Sequence, residues 1–207
     1  MESKRGFTLI ELLVVCGIMV VVGGIIFASN SKFGGQVLLQ NLAYDVALSM
    51  RQAQVYGISV QRFGSGLTSF SYGYGMHFDT DTPTSYNLLA DVDGDGIYDA
   101  GEDVPPSPYS IGRGYSIFKL CAPAGVLLSD CTATGSSLQV PKLDIVFIRP
   151  EPDAWISASS VSCTPRSTGA CQPSARIVLQ SPRGDTMSIS VFANGQIAVD
   201  QVSSIVP

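Results

Sequence analysis

The 207-residue chain is short of charge and shorter still of histidine: 14% of its residues are Asp, Glu, Lys or Arg, and His77 is the one histidine. Sparse charge beside 45% hydrophobic residues, 21 glycines and 12 prolines favours strands and turns over a second large helical unit. Basic residues are outnumbered, 12 against 17 acidic, and the net charge of −5 disfavours broad attraction to nucleic acid or anionic lipid. With a lone histidine and no two cysteines two to four residues apart, zinc-ligand spacing is missing. No serine sits in a nucleophile-elbow motif, and His77 has no evident partner in sequence. Neither a tandem repeat nor a coiled-coil run is present. Catalysis by this chain is not expected.

What the sequence does have is one long apolar run. Phe7 to Ala28 is 22 residues with a single charge, Glu11. As a helix it covers roughly 33 Å, enough to cross a bilayer core. Lys4 and Arg5 precede it and hold the leader on the cytoplasmic side, which places the rest of the chain outside. A carboxylate at the bilayer centre costs about 2.5 to 3.5 kcal/mol, so Glu11 requires a partner or a segment that leaves lipid. A secretory signal cleaved after Ala28 is a competing reading. Lipidation of Cys16 fits less well, because Val14 and Val15 stand where small residues belong.

The stretch "KRGFTLIELLVV" resembles the class III signal of type IV prepilins and pseudopilins, through Gly6, Phe7, Thr8, Leu9, Glu11 and Leu12. The resemblance implies cleavage after Gly6 by a prepilin peptidase and N-methylation of Phe7. It also implies that the helix is retained, first as a membrane anchor and then as a filament core. It gives Glu11 a partner, the amino terminus of Phe7 in a neighbouring subunit. Buried unlike charges attract far more than in water, and each left alone is expensive.

Further on, Val37, Leu38, Leu42, Val46, Leu48 or Ser49, Ala53 and Val55 recur at mostly three-to-four spacing, the mark of an amphipathic helix. Bending or local melting is expected near Gly23, Gly24, Gly34 and Gly35, and Gly57 is the expected stop. The run "LAYDVALSMRQAQVYGISV" resembles the GspH/FimT group of minor pilins and pseudopilins.

"FSYGYGMHF" alternates strictly, with Phe70, Tyr72, Tyr74, Met76 and Phe78 on one face, and reads as a half-buried strand. The aromatic row is either packing against the stalk helix or a ligand platform. "GYSIFKL" and "KLDIVFIR" read as further strands, and Asn194-Gly195 as the turn of a closing hairpin. Arg183-Gly184-Asp185 has the form of an adhesion tripeptide but reads more simply as a hairpin turn. Loops around Pro105 to Pro108 and from Ser157 to Ser174 read as exposed decoration.

Four downstream cysteines allow three pairings. The nearest-neighbour set, Cys121–Cys131 and Cys163–Cys171, is chosen because each would staple one turn-rich loop, and it implies an oxidising compartment. In "DVDGDGIYDAGED", counted from Asp91, carboxylates fall at positions one, three, five, nine and twelve: Asp91, Asp93, Asp95, Asp99 and Glu102. Gly96 holds position six, and the Ile97 carbonyl is the seventh-position oxygen. This spacing fits the calcium loop of EF-hands and dockerins, and crowded carboxylates repel one another without a cation. The departure is Tyr98 at position eight, where an aliphatic residue is usual. An acidic turn without metal is the plain alternative.

The expected fold is α+β: a long N-terminal helix, hydrophobic then amphipathic, packed on a mostly antiparallel β-sheet head. The expected layout is a leader at 1–6, a membrane or filament-core helix at 7–29, an amphipathic helix at 30–57, and a head at 58–207 with a calcium-type loop at 91–102. The family resemblance implies a minor pilin or pseudopilin in the inner membrane with its head outside the cytoplasm, later in a pilus or pseudopilus. Its partners would be other pilin subunits, the prepilin peptidase and an inner-membrane assembly platform, and not nucleic acid. A major pilin forming the fibre surface, or a membrane-anchored calcium-dependent binding module that never polymerises, are the alternatives.

Overall fold

A computed structural model describes residues 7–59, 61–64 and 71–201, with side chains omitted at 28–33 and 201. The chain divides into two compact units, Met1–Leu38 and Leu39–Pro207. Helix α1, Leu9–Ile58, contributes to both and remains helical through Gly23, Gly24, Gly34 and Gly35. The expected melting at those glycines does not occur. Each costs only about 1 kcal/mol against alanine, which a fifty-residue helix with cooperative hydrogen bonding absorbs.

In the first unit the helix starts from a capped end. Thr8 Oγ1 accepts the Glu11 backbone N–H at 3.3 Å, and the Thr8 carbonyl accepts that of Leu12 at 3.2 Å. From Leu9 to Phe27 the helix is apolar, and none of this stretch is buried. Nineteen residues span roughly 28 Å, long enough to cross a membrane.

In the second unit the buried stripe of α1 is Leu39, Ala43, Val46, Met50 and Ala53. This is rotated from the expected face: Val46 and Ala53 are buried, whereas Val37, Leu38, Leu48 and Val55 are exposed. Alanine is too weakly apolar to stand out in a periodicity, yet its small side chain lets the helix approach a sheet closely. The helix ends one residue past Gly57, whose role is contact rather than termination. A Cβ there would lie 2.3 Å from the Phe147 carbonyl oxygen.

Nine strands form two antiparallel sheets among the described residues. They are β1 Gly73–Asp79, β2 Ser85–Asp91, β3 Tyr109–Ser110, β4 Ser116–Cys121, β5 Lys142–Phe147, β6 Ala154–Ala158, β7 Ser174–Gln180, β8 Thr186–Phe192 and β9 Ile197–Gln201. The five-stranded sheet has the order β3-β2-β1-β5-β6 and the four-stranded sheet β4-β7-β8-β9. A short helix, α2 Leu128–Thr132, lies between β4 and β5. The buried stripe of α1 joins Met76, Phe78, Ile145, Ile177 and Ile189 of the two sheets in one apolar core. The fold is α+β, as the sequence suggests.

β1 is central in its sheet and buried along its whole length, not half-buried as the alternation implies. Met76 and Phe78 face the core. Tyr74, Met76 and Phe78 of the aromatic row are buried, so this part of the row is packing and not a platform; Tyr72 is half-buried, and Phe70 lies outside the described residues. Asn194-Gly195 turns β8 into β9, with the Gly195 N–H donating to the Phe192 carbonyl at 2.8 Å. Arg183-Gly184-Asp185 falls in the turn between β7 and β8.

Candidate functional site

Two regions carry the residues singled out from the sequence. The first is the start of α1. Gly6 lies outside the described residues. Phe7 is 79% exposed, and Glu11 stands at the third helical position after the Thr8 cap. The T-x-x-E order of a capped helix start was legible in Thr8 to Glu11. A carboxylate in the first turn also meets the positive end of the helix dipole.

The second region is the acidic loop. It leaves β2 at Asp91 and returns where Ala90 N–H donates to the Glu102 carbonyl at 2.8 Å and Val104 N–H to that of Leu88 at 2.9 Å. Asp91, Asp93 and Asp95 come together, with one carboxylate oxygen from each within 4.8 Å of the others. Asp91 is buried and is held by backbone: its Oδ1 accepts the N–H groups of Gly94 at 2.9 Å and Asp95 at 3.1 Å, and its Oδ2 that of Gly96 at 3.2 Å. Asp99 and Glu102 stand outside this group of three. Glu102 instead accepts the Val92 N–H at 2.7 Å on Oε1 and the Asp99 N–H at 3.0 Å on Oε2, which closes the loop.

The electrostatics are those of crowded negative charge. Burial, then the neighbouring Glu102, pushes the Asp91 carboxyl up to about 6. Burial also raises Glu102, and raises Asp95 with Asp93, Asp99 and Asp144 adding to it. Gly96 is required twice, by its φ of +75° and because a Cβ would lie 2.5 Å from the Cys163 carbonyl oxygen.

That contact corrects the reading of residues 157–174 as decoration. Ser157 lies in β6 and is buried, and Cys163 and Thr164 are buried as well. The Ser162 hydroxyl donates to the Asp95 carbonyl, and the Cys163 N–H to Ser157 Oγ at 2.8 Å. The segment buttresses the acidic loop. It is stapled by a Cys163–Cys171 disulfide, and Cys121–Cys131 forms the second bridge, the nearest-neighbour pairing.

Tyr98, the departure at position eight, has a structural reason. Its ring stacks on His77 with centroids 4.6 Å apart, and its hydroxyl donates to Asp103 Oδ2 at 2.9 Å. Asn87 Nδ2 donates to Asp103 Oδ1 at 2.6 Å. Burial and Asp103 push the Tyr98 phenol up to about 12. His77 is not partnerless either: its Nδ1 lies 2.6 Å from Asp144 Oδ1, both groups buried. No sequence signal reveals this pair, because 67 residues separate the two and only the β1–β5 register sets them side by side.

The first 27 residues match the family described as the prokaryotic N-terminal methylation motif. The match supports a type IV pilin-like prepilin, a structural class whose members assemble with other pilin subunits. The apolar helix within the matched stretch, Leu9–Phe27, is consistent with membrane anchoring. No curated protein and no solved structure matches the chain.

Proposed function

We propose that this chain is a minor pilin or pseudopilin of the GspH/FimT kind, a non-enzymatic subunit of a type IV pilus or type II secretion pseudopilus. The observation that carries the reading is the methylation motif over residues 1–27, most of which forms an apolar helix with no buried residue between Leu9 and Phe27. In this reading prepilin peptidase removes residues 1–6 after Gly6, and Phe7 becomes the methylated amino terminus. Residues 7–29 hold the protein in the inner membrane with the head outside the cytoplasm. The assembly platform then passes it into a filament, where residues 30–57 join the core helix to the head at 58–207.

Assembly follows from elementary energetics. An apolar helix leaves lipid for equally apolar neighbours, so close packing and polar pairing decide the association. The Glu11 carboxylate of one subunit pairs with the Phe7 amine of the next. Either charge alone in that medium is costly, which fixes the register.

The acidic loop is proposed to hold a structural Ca2+ through Asp91, Asp93, Asp95, Asp99, Glu102 and the Ile97 carbonyl. Three carboxylates already converge, and the burial of Asp91 beside Glu102 leaves negative charge that a divalent cation would offset. Bound calcium supplies that neutralisation, while the backbone N–H groups of Gly94, Asp95 and Gly96 orient Asp91.

Replacing Glu11 with Ala tests the assembly reading in cells that build the filament. The variant should lose its leader and remain in the membrane yet be depleted from sheared filaments at least about tenfold, the equivalent of one charge pair. Wild-type incorporation would establish a simple anchor instead.

A further inference from the structure

We propose that the head carries a second site, beside the acidic loop and sharing Tyr98 as part of its wall, that binds a small organic cation: an ammonium or guanidinium group held by Asp144, His77 and Asp79 on the outer face of the five-stranded sheet. The register builds the site. His77 stands opposite Asn87 on β2 and Asp144 on β5, and Asp144 stands opposite Ser157 on β6, so four polar residues form one row across the sheet. In the next row Asp79 stands opposite Lys142. Met76, Phe78, Leu143 and Ile145 alternate with these residues and face the core, which leaves the polar rows on the other side.

Over these rows opens a cleft of about 420 Å³, lined by His77, Asp79, Asn87, Tyr98, Lys142 and Asp144. That volume lies at the small-molecule end of binding sites. Asp144 is 1% exposed, and while its Oδ1 meets His77, its Oδ2 is buried with no hydrogen-bond partner. A buried acceptor left unmade is costly, and more so in a charged group, so an unpaired carboxylate oxygen in the wall of a cleft calls for a donor from outside.

Charge selects the donor. The carboxylates of Asp79 and Asp144 line the cleft with one ammonium, and Lys142 Nζ lies 3.5 Å from Asp79 Oδ2, already committed. An anion would be repelled. A neutral hydroxyl would satisfy Oδ2 and leave the charge uncompensated, whereas an ammonium or guanidinium does both. A metal ion finds too few ligands here: among the described residues Asp91, Asp93 and Asp95 form the one group of three. The His77 ring is fixed between Asp144 and the stacked Tyr98, so the wall is rigid before a ligand arrives.

The cation could be a free amine or the Lys or Arg side chain of a neighbouring polypeptide. The test uses the full chain in detergent micelles with calcium saturating, so that the acidic loop does not vary. Calorimetric titration with n-butylammonium, ethylguanidinium, acetate and glucose should show binding of at least one cation and of neither other probe. Asp144→Asn should weaken that binding at least about tenfold, the worth of one charge-assisted hydrogen bond. Lys142→Gln, at a side chain 43% exposed and so safe for folding, should strengthen it by freeing Asp79. Tighter binding of an end-blocked peptide bearing one Lys or Arg assigns the cation to a partner chain; equal binding assigns it to a free amine. Absence of binding by all cationic probes, a preference for acetate or glucose, or weaker binding in Lys142→Gln overturns the proposal. Filament incorporation is not read in this experiment, so its failure leaves the assembly reading standing.

Discussion

The ring of Tyr98 lies face to face with that of His77, 4.6 Å between centroids, and this stack ties the acidic loop to the central strand of the five-stranded sheet. Tyr98→Leu restores the side-chain type usual at that loop position but removes both the stack and the hydrogen bond to Asp103. It should lower stability by about 1–3 kcal/mol, read as the shift in a urea unfolding midpoint. An unchanged midpoint would mean that the loop needs no such tie.

Asp91 gives the head a signed pH dependence. Its folded value, about 6, lies above the ordinary 3.8, so the folded state holds the extra proton between those values. Metal-free protein should therefore lose stability as pH rises from about 4 to about 6. Calcium should reverse the trend, and Asp91→Asn should weaken the calcium response and the trend, to which the raised Asp95 and Glu102 also contribute. Thermal midpoints with chelator and with calcium across that range decide the matter.

Gly57→Ala introduces a Cβ that would lie 2.3 Å from the Phe147 carbonyl oxygen. Backbone on both sides leaves nothing flexible to yield. A loss of about 2–3 kcal/mol is expected by chemical denaturation, although alanine is the better helix former in isolation.

The disulfide Cys163–Cys171 closes the segment that presses on Gly96. Replacing both cysteines with serine should cost about 2–4 kcal/mol and weaken calcium binding by the acidic loop. Cys121–Cys131, which forms a small apolar cluster with Val178, should affect stability alone. Calorimetry with calcium on the two double variants separates the effects.

Gln54 is buried on α1 and donates from one amide nitrogen to the Pro152 carbonyl at 2.9 Å and the Gly195 carbonyl at 3.0 Å. Gln54→Leu should destabilise the head by about 1–3 kcal/mol, because two carbonyls lose their donor. Hydrogen exchange should rise locally at the Asn194-Gly195 turn.

Much of this architecture is legible in the residues because it is local. The alternation from Tyr74 to Phe78, the Asn194-Gly195 turn and the two short-range cysteine pairs each act over a few residues. The division into two sheets and the full burial of β1 are not legible, since both depend on which strands meet. The stripe on α1 is blurred by Ala43 and Ala53, and by exposed Leu48 and Val55 on the opposite side. In the acidic loop the spacing of Asp91, Asp93 and Asp95 foretells their convergence, while Tyr98 looks anomalous until its partner His77 is placed by the sheet. The His77–Asp144 pair is a product of register, which no single strand encodes.

Among the described residues, nothing in α1 before Leu39 is buried. The buried apolar side chains among the described residues all come from Leu39 onward. A shortened polypeptide beginning a turn ahead of Leu39 should stay in aqueous solution without detergent and melt as one cooperative body.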